Sequence, residues 1–260
     1  MSRTWCLTDV EFVALWEELR EGLVPRPFEF TSRTSRNDEY LQEKAEARQR
    51  ARDRHGRSID EVLELVARPD IRIVAHGWDR RNPDDPTTRV RLLAARRGDR
   101  GYLLTQLPGE TIWHSGGYTI VEVSARGLAD AVVKALPECA TGRLGELVFA
   151  SRDGSRLDYS YQQSIVGDPV DDPDRERARR FSAATVAGVG RIRLSQGYSR
   201  FGPRGIASHE LHWRDLVDDG RYAITTENPP VAVGVGTTAL TALLNDRIAA
   251  IVRSIKDERE

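Results

Sequence analysis

Two stretches of the chain, residues 89–105 and 210–226, follow the same plan, and this echo constrains the fold more than any other sequence feature. In each stretch an alternating run meets an acidic, glycine-containing turn. A shorter apolar run then begins with a tyrosine, Tyr102 in the first stretch and Tyr222 in the second. Alternation leaves one face of a strand to be buried, and glycine allows the positive φ that tight hairpin turns need. Each stretch therefore predicts a β-hairpin.

The sequence around the two hairpins repeats as well. The turn signals are Asp99-Arg100-Gly101 and Asp219-Gly220, and each hairpin is followed by further strand-like residues and a helical run, at 127–136 and at 239–252. This pattern predicts an internal duplication, a single domain of residues 1–260 made of pseudo-repeats at about 1–137 and 138–260. Successive strands joined by short turns, with helices at the ends of each half, predict an α+β fold with a central antiparallel sheet.

Composition narrows the functional classes. The formal net charge is -1, so the chain has no basic surplus of the kind that general nucleic-acid binding requires. Two cysteines form neither a disulfide framework nor a thiolate metal site, which is typical of a reducing cytosol. The first residues contain no apolar leader, and the longest uncharged run, 228–245, carries two prolines. We expect a cytoplasmic protein that neither inserts into membranes nor binds nucleic acid.

Three helices are predicted in the first quarter of the chain. Thr8 and Glu11 have the spacing of a capping box at the start of an apolar-faced helix. Residues 35–57 are rich in charge and helix-forming side chains; a thin apolar stripe there would consist of Tyr40, Leu41, Ala45 and Ala47. Acidic residues are interspersed among its arginines, which favours a solvated helix with i,i+4 ion pairs over a nucleic-acid-binding helix. Ser58 is predicted to cap a third helix at 59–67.

Strands are predicted at residues 70–78, 88–96, 101–107, 111–114, 118–123 and 190–198, with a helix at 126–136, and the second half begins with residues 145–151. Turn-rich excursions are predicted at 80–88, 152–154 and 200–205, and a polar loop leading into a charged helix at 166–180.

Two short patterns resemble functional motifs, one for dinucleotide binding and one for metal binding, but neither meets the requirements of its motif. Gly234-Val-Gly236 resembles a dinucleotide-binding fingerprint, but the chain ends after one helix, without the second parallel strand. His209 and His212 lie three apart on a predicted strand, so their imidazoles point to opposite faces and cannot share a metal. No hydrolase elbow, phosphate loop or paired-cysteine motif occurs. We expect no catalytic residue, metal site or cofactor, and an enzyme is the weaker hypothesis.

The N-terminal run of residues 5–19, WCLTDVEFVALWEEL, followed by Gly22-Leu-Val-Pro-Arg-Pro27, resembles the EspG family of type VII secretion chaperones. The order of a charged helix, a short apolar helix, a sheet and a repeating second half, and the Asp-Gly-Arg-Tyr pattern at 219–222, are also similar to that family. The resemblance implies a pseudo-two-fold protein with a central antiparallel sheet and two helical bundles. It also implies a cytosolic chaperone, without enzymatic activity, that binds the apolar tip of the PPE-like protein in a PE–PPE-type heterodimer.

A binding protein of this kind needs anchors and a polar rim. Trp78 and Trp213 are more readily explained as core residues, whereas Phe201 lies between an arginine and a Gly-Pro pair in a loop. If Trp213 is buried, alternation turns its neighbours on the strand toward the other face. The candidate contact residues are Arg80, Arg81, Asp84, Asp85, Arg193, Phe201, His212 and Arg214. The alternative is a small-molecule-binding or enzymatic α+β protein with a site on the concave face of the sheet.

Overall fold

A computed structural model describes residues 3–19, 22–149 and 173–259. The helices are α1 (Asp9–Leu19), α2 (Asn37–His55), α3 (Ser58–Ala67), α4 (Leu128–Lys134), α5 (Pro173–Ala183) and α6 (Thr237–Asp257). The strands are β1 (Thr4–Leu7), β2 (Ile71–Asp79), β3 (Val90–Arg97), β4 (Arg100–Pro108), β5 (Ser115–Ser124), β6 (Glu146–Val148), β7 (Val186–Gln196), β8 (Ser208–Leu216), β9 (Arg221–Thr225) and β10 (Val231–Gly234). The turn predicted at 152–154 and the start of the loop predicted at 166–180 lie outside the described residues.

The described strands form one antiparallel sheet of ten strands in the order β1-β5-β4-β3-β2-β7-β8-β9-β10-β6. This order is symmetric about the β2–β7 pair, because each half places its strands outward in the same sequence. The middle of that pair is Ala75 opposite Ile192. Counting outward from either residue brings Tyr102 and Tyr222 to equivalent places, and both are completely buried. The predicted α+β class and pseudo-two-fold duplication are therefore confirmed.

Both predicted hairpins form, but the turns differ from the prediction. In the first hairpin Arg97 pairs with Arg100, so the turn consists of Gly98 and Asp99, and Gly98 has the positive φ of +61°. Gly101 belongs to β4 instead. In the second hairpin the residue with positive φ is Asp218. Gly220 is needed for a different reason, since a Cβ there would lie 2.6 Å from the carbonyl oxygen of Ala140.

Some predicted boundaries are wrong. Residues 111–114 form a turn between β4 and β5 and not a strand. The helix predicted at 126–136 is shorter, with a 3-10 turn at Ala125–Gly127 before α4. Ser58 is the first residue of α3 and its hydroxyl donates to the carbonyl oxygen of His55 at 2.7 Å, so it does not cap the helix.

The helices form layers on both faces of the sheet. One face, which we call the covered face, packs against α4 and α6 in a single hydrophobic core that spans both halves. On the opposite face α1–α3 cover the outer strands of the first half, around Phe12, Tyr102 and Tyr118. A smaller cluster that includes Phe181 of α5 and Tyr222 covers the outer strands of the second half. We call this opposite face the divided face, because its two helical layers leave the middle strands between them.

The first helices follow the sequence closely. Thr8 and Glu11 form the predicted capping box: the Glu11 amide donates to Thr8 Oγ1 at 3.2 Å, and the Thr8 amide donates to Glu11 Oε2 at 2.9 Å. In α2 one i,i+4 ion pair of the predicted kind joins Glu46 and Arg50 at 3.6 Å. The predicted apolar stripe is partly wrong, since Leu41 is exposed and the α2 residues that are buried are Ala47 and Ala51.

Ion pairs attach the charged helix α2 to α1. Lys44 Nζ lies 2.7 Å from Glu17 Oε2, and Arg48 Nη1 lies 2.7 Å from Glu18 Oε1. Arg52 also reaches Glu18, at 2.6 Å. Single surface pairs contribute little, but several that share a carboxylate form a network. The charges of α2 therefore serve packing, in agreement with the prediction of a solvated structural helix.

The indole ring of Trp213 packs across the junction of β2 and β7, which joins the two halves of the sheet and which we call the seam. Gly77 of β2 pairs directly with Gly190 of β7, which in turn lies opposite Trp213 of β8. A Cβ added at Gly77 or Gly190 would lie 2.4 or 2.1 Å from Trp213 ring atoms, so the ring occupies the space above both glycines. Trp213 is 3% exposed and belongs to the core on the covered face, which confirms the interpretation of Trp213 as a core residue.

This seam predicts that Gly190→Ala is destabilising. The new methyl group would collide with a buried indole, so we expect the free energy of unfolding to fall by about 2 kcal/mol, measured by urea denaturation. The double variant Gly190→Ala/Trp213→Leu should lose less free energy of unfolding than the two single variants lose together, because the smaller side chain leaves room for the methyl group. Ser195→Ala, on the same strand and half-buried, serves as the matched control. A Gly190→Ala protein that unfolds at the wild-type urea concentration would contradict the packing.

Candidate functional site

The middle of the divided face carries mainly polar and charged side chains. Seven side chains on four adjacent strands lie here between the two helical layers, and we call them the central strip: Arg91, His76, Trp78, Arg191, Arg193, Glu210 and His212. None of the seven belongs to a hydrophobic core cluster of the described residues, so the interpretation of Trp78 as a core residue is wrong. Arg191 and Arg193 are exposed, whereas Arg91 is 7% exposed. The strip therefore presents charge where a sheet face usually presents apolar surface.

Basic groups line up across the strip. Arg91 of β3 pairs with His76 of β2, His76 pairs with Arg191 of β7, and Arg191 pairs with His212 of β8. Burial and the neighbouring guanidinium groups of Arg91, Arg89 and Arg191 lower the pKa of His76 to about 4. His76 is therefore neutral at pH 7, and its ring lies 5.5 Å from that of Trp78.

Among the described residues, Glu210 supplies a carboxylate to both His212 and Arg191. Glu210 Oε1 lies 3.0 Å from His212 Nε2 and 3.9 Å from Arg191 Nη1. Arg193 lies two residues after Arg191 on β7 and makes no hydrogen bond or ion pair with any residue in the described ranges. Positive charge thus exceeds negative charge across the described part of this face.

The excursion between β2 and β3 forms one rim of the strip. Arg81 Nη2 lies 2.5 Å from Asp79 Oδ2, and this hydrogen-bonded ion pair lowers the pKa of Asp79 to about 2. The carboxylate of Asp85 accepts from the Thr87 amide and hydroxyl, at 2.9 and 2.6 Å, which closes a short 3-10 turn. Arg89 lies 5.4 Å from the centre of the Trp78 ring. The rim is therefore ordered by its own charged groups.

The turn between β4 and β5 forms a second rim. Arg91 Nη2 donates to the carbonyl oxygen of Ile112 at 2.5 Å, and Thr31 Oγ1 donates to that of Trp113 at 3.1 Å. These bonds hold the turn while the Trp113 side chain remains 59% exposed. An exposed indole on a braced turn is the kind of side chain that anchors protein interfaces.

The structure does not gather the predicted contact residues in one place. Arg80, Arg81, Asp84 and Asp85 follow the end of β2, whereas Phe201 follows the end of β7, which runs the opposite way. The loop and Phe201 therefore lie at opposite ends of the sheet.

Arg193 and His212 lie on the divided face between the two ends, as alternation predicts. Arg214 also points to this face but is only 9% exposed, and its guanidinium carbon lies 5.6 Å from the ring centre of Phe181. The prediction of Arg214 as an exposed contact is therefore wrong, because α5 covers it.

Phe201 is 67% exposed, as its position in a Gly-Pro loop predicts, and Tyr198 beside it is 77% exposed. Glu258, just beyond α6, accepts from the Ser199 hydroxyl at 3.0 Å and from the Arg200 amide at 3.2 Å. The loop is thus tied to the last helix and presents its aromatic side chains outward.

The two patterns dismissed as chemistry have structural explanations. His209 and His212 pair with adjacent-strand residues of opposite orientation, Leu194 and Arg191, so they lie on different faces. Gly234 belongs to a strand whose neighbours are both antiparallel. A Cβ at Gly234 would lie 2.1 Å from the carbonyl oxygen of Gly142, so the glycine admits a crossing segment and not a phosphate.

A surface depression of about 350 Å³ lies where β7, β8 and β9 approach α6. Its lining is polar or charged throughout and consists of Arg193, Ser208, His209, Glu210, Thr226, Glu227 and Arg247. Arg247 and Glu227 already pair across it at 2.6 Å.

Three residues of the candidate site, His76, Arg191 and Trp113, were not predicted from the sequence. His76 and Arg191 each alternate correctly on their own strands, but their proximity depends on the β2–β7 pairing, which joins residues far apart in the chain. Trp113 was assigned to a strand, although Gly109 before it and Gly116 after it are signals of a turn.

The environment of His76 predicts an abnormal titration. We expect its imidazole to titrate near pH 4 in an NMR experiment, well below the ordinary value of 6.5. As the pH falls, the unfolded chain protonates His76 near pH 6.5, whereas the folded protein does so only near pH 4. The free energy of unfolding should therefore decrease as the pH drops from 6.5 toward 4. His76→Gln should remove that part of the decline. A midpoint at or above 6.5 would contradict the burial of this ring beside three arginines.

Comparison with known proteins places the fold. No described helix is both long and apolar enough to cross a membrane. No curated protein matches the chain. One solved structure with a similar fold is that of the Mycobacterium tuberculosis type VII secretion system chaperone EspG5 in complex with a PE25-PPE41 dimer. The TM-score is 0.55, the sequence identity is 12%, and the match covers 92% of this chain and 94% of that chain. At this identity the likeness shows the fold alone.

A family model gives the assignment that the structural likeness cannot. The model of the EspG family matches residues 8–254, which is nearly the whole chain. The match begins at the capping box of α1, includes both hairpins and extends into α6. The chain therefore belongs to the EspG family.

Proposed function

We propose that this protein is a type VII secretion chaperone. It binds the apolar tip of a PPE-like protein within a PE–PPE-type heterodimer, in the cytosol, and keeps that substrate soluble for export. It performs no chemical reaction on its partner.

One observation carries the proposal. The EspG family model extends over residues 8–254, and the fold matches, over 92% of the chain, that of an EspG chaperone solved in complex with a PE–PPE dimer. A resemblance confined to one motif would leave the function open, because folds host many functions. Here the family assignment and the fold agree over nearly the entire length.

The surface chemistry supports a protein partner. The central strip offers exposed polar groups, and the two flanking turns add Trp113 at one end and Phe201 at the other. Exposed aromatic anchors with a polar surround are the usual anatomy of a protein interface. Of the eight predicted contact residues we retain seven: Arg80, Arg81, Asp84, Asp85, Arg193, Phe201 and His212.

The alternative of a small-molecule-binding or enzymatic protein has less support. Ligand pockets are usually lined by apolar and aromatic side chains with a few polar groups. The depression near α6 has a wholly polar lining, and two of its charges already pair with each other.

The proposal is tested by co-expression. Each PE–PPE pair encoded in the same genome is expressed with and without this chain, and a tag on the chain is used for purification. We expect one pair to co-purify as a stoichiometric complex by size-exclusion chromatography, and its PPE-like member to move from the insoluble to the soluble fraction. If no pair co-purifies or gains solubility, the chaperone function is refuted.

The exposed aromatic side chains define where the partner binds. We expect Trp113→Ala and Phe201→Ala each to weaken the complex at least about tenfold, by titration calorimetry, without changing the melting temperature, because buried aromatic anchors dominate interface energies. Leu41→Ala is the matched control, since Leu41 is 52% exposed on α2, away from the sheet. If both aromatic variants bind as Leu41→Ala does, the complex uses another surface.

A further inference from the structure

The charge of the central strip is local and unusual for this chain. The whole protein has a formal net charge of -1, so a basic surface is not a consequence of composition. Yet Arg91 of β3 and Arg191 and Arg193 of β7 point to the same face, with only β2 between the two strands, and Glu210 is the one carboxylate among the seven residues of the strip. A concentration of one sign of charge on a weakly acidic protein attracts ligands of the opposite sign.

The row formed by Arg91, His76 and Arg191 is electrostatically unfavourable on its own. Arg91 of β3 and Arg191 of β7 point to the same face with only His76 of β2 between them, and like charges repel each other. Arg91 is nine-tenths buried; its Nε has no hydrogen-bond partner among the described residues, and burial lowers its pKa. The single described carboxylate of the strip lies nearer to His212 than to Arg191. An added anion would relieve this imbalance.

We propose that the row of Arg91, His76 and Arg191, with Arg193 beside it, receives an acidic segment of the exported partner. This inference rests on the proposed function and specifies the chemistry of the partner. Arg191 and Arg193 are exposed and make the contacts, because the guanidinium fork matches a carboxylate in two parallel hydrogen bonds. Arg91 lies too deep for contact and contributes positive potential from below.

A protein segment fits the strip better than a nucleic acid does. Single-stranded nucleic acids bind where aromatic rings offer stacking platforms along a basic groove. Within the strip the aromatic ring of Trp78 is half-buried and already has Arg89 above it and His76 beside it. Carboxylates on a protein segment need only the exposed guanidinium groups.

The first test uses the complex itself. We expect the double variant Arg191→Gln/Arg193→Gln to weaken binding of the co-purifying PE–PPE pair at least about tenfold at pH 7 and to reduce its dependence on salt. Arg191→Lys/Arg193→Lys should recover part of the affinity, since it retains charge without the fork. Arg97→Gln/Arg126→Gln, which changes two exposed arginines outside the strip, controls for the loss of two charges elsewhere. Unchanged affinity and salt dependence in the double variant overturn the inference, while the chaperone function stands.

The second test does not require the partner. A synthetic hexaglutamate peptide is added to the full chain at pH 7, and the imidazole signals of His76 and His212 are followed by NMR. We expect both to shift, with hexaglutamine producing no shift and the double glutamine variant losing the response. The inference is overturned if hexaglutamate has no effect, or if inorganic phosphate or hexathymidylate shifts the signals equally. Because this result is independent of any PE–PPE pair, failure of the chaperone function and failure of the acidic-segment site are distinguishable.

Discussion

The antiparallel pairing of β2 with β7 is the interaction on which the rest of the structure depends. It joins two five-stranded halves into one sheet, and Trp213 stabilises the join from the covered face by lying above Gly77 and Gly190. Because the indole extends across three strands, it can be accommodated only where both neighbours lack a Cβ. The same pairing brings His76 beside Arg191 on the opposite face. One seam therefore sets both the core and the candidate binding surface.

The two halves share a backbone plan but not a surface. Counted from the centre of the seam, His76 occupies the place equivalent to Arg193, and Arg91 the place equivalent to Glu210. Positions that face the core keep similar residues, as Leu92 and Leu211 do. Duplication thus accounts for the fold, whereas divergence at exposed positions makes the strip asymmetric. An asymmetric strip can distinguish the two directions in which an elongated partner could lie across it.

Local features were predictable because their causes lie within a few residues. The capping box of Thr8 and Glu11, the strand alternation that buries Trp213 and the echo of Tyr102 in Tyr222 all follow from short-range patterns. The turn details were harder: an acidic-glycine sequence allows several turn geometries, and the positive φ falls on Gly98 and Asp218. Arg214 shows a further limit, since its strand face was correct but the covering helix was not foreseeable.

The sequence by itself determined the α+β class, the two-fold repetition of hairpin and helix, and the family resemblance, because periodicity, capping and turn chemistry act locally. Only the tertiary structure decided which strands meet at the seam, which end of the sheet holds Phe201, and which side chains form the central strip. Those outcomes depend on pairing between residues more than a hundred positions apart, such as His76 and Arg191. Alternation assigns a side chain to a face, but only strand pairing assigns it a neighbour.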